Sequence, residues 1–190
     1  MDSPFELQLP PPPGIDSATD ALFEGLFSND FARSYNCLRV LSEAKSDDLW
    51  PILRNLWEAK AFNDYGAHYF FVLLIGSVCG WPTESKTELK NLLINAIENK
   101  RPQFSKSRPI ALLALFSLSP EMLTTSFLMD CLASSTRAWT LHYAVLLIVD
   151  RADSETREEI VHYILESRAN ILSNPFVKIK FDQLQSKKAL

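Results

Sequence analysis

Glycine is scarce in this chain, with 5 among 190 residues. Two-residue β-hairpins draw on glycine for positive φ, so its scarcity argues against a β-rich fold with many tight turns. Basic residues are not in excess either: Lys and Arg total 19 against 23 Asp and Glu, a net charge of −4. Nucleic-acid binders need cations to displace phosphate counterions, so nucleic acid is an unexpected partner. Another protein, neutral or basic, suits the mild acidity better. Long apolar runs are missing as well. The two most apolar segments, 69–79 and 143–149, fall short of the roughly 20 residues that cross a bilayer, and each has a histidine beside it. No membrane association is expected.

Cysteine is limited to Cys37, Cys79 and Cys131, far apart and without a CxxC or Cys/His spacing. That excludes a sequence-evident zinc site and reads as buried free thiols in a reducing compartment. Met1-Asp2-Ser3-Pro4 lacks the basic start and apolar core of a signal peptide, so a cytoplasmic protein is expected. There is no Gly-rich phosphate loop, no Gly-x-Ser-x-Gly and no Walker pattern. No catalytic residue, cofactor or metal is therefore expected, and the chain reads as a non-enzyme. Glu159-x-x-His162 has the ligand spacing of ferritin-like di-iron proteins, but such a site needs a second motif and two more carboxylates. Tyr65 and Trp139, not glutamates, stand three residues before His68 and His142.

What is present is apolar and helical. Hydrophobic residues make up 47% and charged residues 22% of the chain, enough for the core of one domain or a short repeat array. Pro10 to Pro13 favour polyproline II and set off an extended arm over 1–15. Residues 16–174 read as a single helical-repeat domain, and 175–190 as a C-terminal tail. The apolar spacing predicts helices over 17–27, 31–44, 48–60, 65–79, 83–99, 109–118, 120–133, 136–150 and 154–172. Asn29-Asp30, Ser46-Asp47-Asp48, Thr83-Glu84, Ser119-Pro120-Glu121 and Asp153-Ser154-Glu155 supply the starts. The helices over 65–79 and 136–150 are apolar nearly all round and read as central. Ser173-Asn174-Pro175 reads as a stop. Beyond it Val177, Ile179 and Phe181 alternate with Lys178, Lys180 and Asp182, which predicts a short extended segment.

The chain also resembles itself. Ala67-His68-Tyr69-Phe70-Phe71-Val72-Leu73-Leu74-Ile75 and Leu141-His142-Tyr143-Ala144-Val145-Leu146-Leu147-Ile148 each precede a polar, capped helix. His68 and His142 are 74 residues apart with another helix pair between them, giving two steps of about 37 residues. Repeats of two helices and this length mark α-solenoids, whose hairpins bury their apolar faces on one another. Over 31–172 the chain resembles the HEAT and armadillo class of helical repeats, with Pro109 and the Arg157 region matching the proline and basic positions of HEAT repeats. The fold class expected is all-α, a right-handed stack of antiparallel hairpins with about nine helices; a general helical bundle is the alternative.

The resemblance implies partner binding through the second helix of each pair. The faces opposite the apolar stripes carry Asp48, Asn55 and Glu58, then Asn91, Asn95 and Glu98, then Glu159, His162 and Glu166, with Asn170 beyond. Glu121, Thr124 and Thr125 are the candidates over 120–133. His68 and His142 read as polar anchors at the starts of buried helices, and Trp81, after Gly80, as an exposed contact. The function expected is a protein–protein interaction module: an adaptor, complex subunit or inhibitor. A bacterial immunity-type inhibitor of a toxin is one alternative, and a nucleic-acid-binding HEAT-like protein or glycosylase another. The latter would use the basic residues Lys86, Lys90, Lys100, Arg101, Lys106 and Arg108.

Overall fold

A computed structural model describes residues 83–99, 105–134 and 137–186, together with residues 21, 22, 24, 25, 30, 33, 36, 37 and 40. The arm over 1–15 and the helices expected over 48–60 and 65–79 lie outside the described residues. The chain divides into two compact units, Met1–Pro82 and Thr83–Leu190.

In the first unit Ala21, Leu22, Glu24 and Gly25 are helical, as are Arg33, Asn36, Cys37 and Val40. Asp30 starts the second of these helical stretches by accepting from the Arg33 backbone N–H at 3.3 Å, the capping role its sequence position suggested. A Cβ at Gly25 would overlap Cys37 Sγ, so the close approach needs a residue without one. Gly25→Ala is expected to cost about 1–3 kcal/mol, the range for overpacking. Pairing it with Cys37→Ala should recover part of that loss in denaturant melts; an equal loss in both backgrounds would remove the contact from the explanation.

Six α-helices lie in the second unit among the described residues: α1 Thr83–Glu98, α2 Ser107–Leu118, α3 Thr125–Ala133, α4 Trp139–Val149, α5 Ser154–Ser167 and α6 Pro175–Ser186. Short 3-10 turns, Pro120–Met122 and Ala169–Ser173, precede α3 and α6. The described residues are all-α, with no strand among them. Leu89, Leu93, Ala96 and Ile97 form the buried stripe of α1, which packs on α2. The hub is α4, as its composition requires. Leu141, Ala144, Val145, Leu146, Ile148 and Val149 are all buried, and α2, α3, α5 and α6 pack around them. His142 is buried within this helix, 1% exposed.

Three boundaries differ from the sequence reading. The helix expected over 154–172 ends at Ser167, where Arg168 leaves helical geometry and a separate 3-10 turn, Ala169–Ser173, follows. Ser119-Pro120-Glu121 opens a 3-10 turn rather than a long helix, and Thr124 then caps α3 by accepting from the Phe127 N–H at 3.3 Å. The segment after Ser173 is a helix, not an extended tail. Asn174 accepts from the N–H groups of Phe176 and Val177 at 3.0 and 3.3 Å, so Asn-Pro is a helix start with proline at the first position. Val177, Phe181 and Leu184, spaced four and three, are buried, whereas Ile179, which alternation would have placed inside, is 59% exposed. Lys180 ties α6 to the end of α4 through Asp150 at 2.9 Å.

Asp153 caps α5, accepting from the Thr156 backbone N–H at 2.8 Å, and that bond holds its carboxyl below the ordinary range. The ionised form is favoured by folding, so the stability it adds is present above the ordinary carboxylate pKa and is lost as pH falls through its lowered value. Asp153→Ala should therefore lower the melting temperature at neutral pH, with the difference from the parent chain shrinking in acid. A difference independent of pH would assign the loss to something other than the cap.

Candidate functional site

The first turn of α2 carries an arginine into the interior. α1 ends at Glu98 with carbonyls that have no intrahelical partner, a feature of every helix C-terminus. Arg108 Nε donates to one of them, Ile97 O, at 2.6 Å. Pro109 follows in the first turn of α2 and costs the helix no bond there. Arg108 is 7% exposed. Burial pushes its guanidinium pKa below the ordinary value, with the neighbouring Cys131 acting weakly the other way.

Arg108 lines a cleft of about 500 Å³ together with Ile97 and Glu98 of α1 and Phe127, Asp130 and Cys131 of α3. Ile97 and Phe127 supply apolar walls, and Glu98 and Asp130 stand exposed at the rim. Cys131 is 4% exposed, and its pKa is pushed up to about 11. Burial is the main cause; Arg108 opposes it, while Asp130 and Glu98 add to it. The thiol is therefore neutral at physiological pH and a poor nucleophile. The cleft offers one buried cation, apolar walls and two carboxylate acceptors at its mouth.

Sequence reasoning grouped Arg108 with the surface cations and Cys131 with inert core thiols, and so missed the cleft. The usable signal was an arginine beside Pro109 at the head of an apolar helix, 11 positions after Ile97. Of the residues singled out for partner binding, Asn91, Asn95 and Glu98 are exposed on one face of α1. Glu159, His162 and Glu166 are exposed on α5, where His162 Nε2 meets Glu166 Oε2 at 3.0 Å. Asp48, Asn55 and Glu58, like Trp81, lie outside the described residues. Of the surface cations, Lys90 pairs with Glu121 at 3.5 Å. Trp139 is 43% exposed and stacks on Phe176 with ring centres 5.6 Å apart. Among the described residues no group of three or more His, Cys, Asp or Glu could hold a metal ion, and no helix is long and apolar enough to cross a membrane.

Comparison with known proteins supplies the context that the residues alone do not. The chain is 37% identical over 134 residues, 70% of its length, to the "Bilin biosynthesis protein CpeY" of Synechococcus sp.. It is 31% identical over 140 residues, 74% of its length, to the "Uncharacterized phycocyanin operon protein Y" of Pseudanabaena tenuis. These alignments cover 32% and 31% of the two relatives, so the chain spans about a third of the length of the curated relatives it matches. No family model matches the chain, and no solved structure matches it. The helical architecture stands, without a family model to place it in the HEAT or armadillo class. The generic adaptor, the immunity-type inhibitor and the nucleic-acid or glycosylase readings are overturned, because the similarity runs to a protein named for bilin biosynthesis and another named for a phycocyanin operon. The non-enzyme reading loses its support on the same ground.

Proposed function

We propose that this chain is a helical-repeat portion of a bilin biosynthesis protein, and that it brings an open-chain tetrapyrrole together with the phycobiliprotein that receives it. The observation that carries this reading is the 37% identity to the bilin biosynthesis protein over 134 residues. The apolar, central α4 followed by the more polar α5 fits the pattern of a helical-repeat hairpin. The step served is a catalysed one, and the chain's share in it is proximity. Holding two reactants in register lowers a bimolecular barrier without a nucleophile from the protein. Cys131, kept neutral by its burial, takes no covalent part. The exposed rows Asn91, Asn95, Glu98 and Glu159, His162, Glu166 face the protein partner, and the process is cytoplasmic.

Capture of an apo-phycocyanin subunit on the immobilised chain tests the partner half of the proposal. Binding is expected at low salt, weakened about tenfold or more by Glu159→Lys with Glu166→Lys, because reversing charges at a steered interface replaces attraction with repulsion. No capture at any salt would overturn the protein-partner reading; capture indifferent to the double reversal would remove the acidic row from it.

A further inference from the structure

The guanidinium of Arg108 has five N–H donors, and one is used on Ile97 O. No ion pair joins it to a carboxylate among the described residues; Glu98 and Asp130, the two acids that line the same cleft, do not pair with it. The residue is 7% exposed and lines the cleft. A buried cation without an anion carries a desolvation cost that a fixed counter-charge offsets. Arginine's planar fork matches a carboxylate in two parallel hydrogen bonds, and the Ile97 bond already fixes the plane of the fork.

We propose that the Arg108 cleft is a binding site for a carboxylate carried on an apolar body, and that its ligand is a propionate arm of the bilin together with the pyrrole ring that bears it. The identity of the ligand rests on the bilin biosynthesis reading; the carboxylate chemistry rests on the cleft alone. Ile97 and Phe127 take the ring face, Arg108 takes the carboxylate, and Glu98 and Asp130 accept from ring N–H groups at the mouth. The volume of about 500 Å³ is ample for one such arm and ring. The rest of the pigment projects outward, where an acceptor protein reaches it.

Two pairs of probes separate the site from the identity of its ligand. The first is 1-pyrenebutyrate against the neutral 1-pyrenebutanol, followed by fluorescence; the second is biliverdin against its dimethyl ester, followed by visible absorption. The full chain should bind each acid at least about tenfold more tightly than its neutral counterpart. Arg108→Gln should erase that preference, with an unchanged circular dichroism spectrum showing that the variant is folded. Arg108→Lys, which keeps the charge and loses the fork, should retain only part of it. Equal affinity for acid and neutral forms in the parent chain, or a preference that survives Arg108→Gln, overturns the site. Acid preference for pyrenebutyrate with no binding of biliverdin or its ester keeps the carboxylate site and overturns the bilin as its ligand.

Discussion

Replacing Phe181 by alanine is expected to destabilise the Thr83–Leu190 unit by about 3–5 kcal/mol, the range for emptying a buried aromatic position. Phe181 is 2% exposed and among the largest fully buried side chains of the described residues. It lies in the middle of the α6 stripe, between Val177 and Leu184, against the hub helix α4. Truncation leaves a cavity between two helices that are also tied by the Lys180–Asp150 pair, so the site cannot collapse freely. Ile179→Ala, two residues away and 59% exposed, should change stability by no more than about 0.5 kcal/mol. Urea melts followed by circular dichroism separate the two. Comparable losses for both substitutions would mean that the segment packs as a strand, with alternate residues inside, and not as a helix.

Alkylation of Cys131 should be slow at neutral pH and gain rate up to about pH 11. Its pKa stands about 2 units above the ordinary thiol value of 9.0, so at pH 8 its thiolate fraction is about a hundredfold lower than that of a free thiol. Iodoacetamide labelling resolved by peptide mass spectrometry reads this position by itself. The same shift makes stability depend on pH. Folding favours the protonated thiol, so the contribution is complete below pH 9 and is lost as pH rises through about 11. The full loss amounts to about 2–3 kcal/mol. Rapid labelling at pH 8 with an ordinary thiol profile would mean that the floor of the cleft is open to water, and the desolvated setting of Arg108 would fall with it.

What could be read from the sequence was whatever depends on local pattern. The apolar surround of α4 announced a central helix, and Asp153 before an acidic first turn announced the start of α5. The nature of α6 was hidden because Val177, Ile179 and Phe181 satisfy a period of two over a short window. The deciding residues are Asn174, whose side chain caps, and Leu184, which lies beyond the alternating run. The cleft was hidden for another reason. Arg108 is buried only because the end of α1 arrives beside the start of α2, and Cys131 belongs to the same site only because α3 closes the third side. Such a constellation has no spacing rule in one dimension. Function was illegible for the same cause: the groups suited to a ligand come from three helices and form no motif, and the likeness to a protein named for bilin biosynthesis comes from comparison, not from pattern.

The central claim is that this chain handles a bilin, and gel filtration of the full chain with biliverdin tests it most directly. The account predicts that pigment absorbance co-elutes with the 21.6 kDa chain and that the visible band changes on binding, with saturation at micromolar pigment. Pigment eluting wholly apart from protein, with an unaltered spectrum at concentrations up to about 0.1 mM, a limit that leaves no more than about 5 kcal/mol of binding, would contradict it.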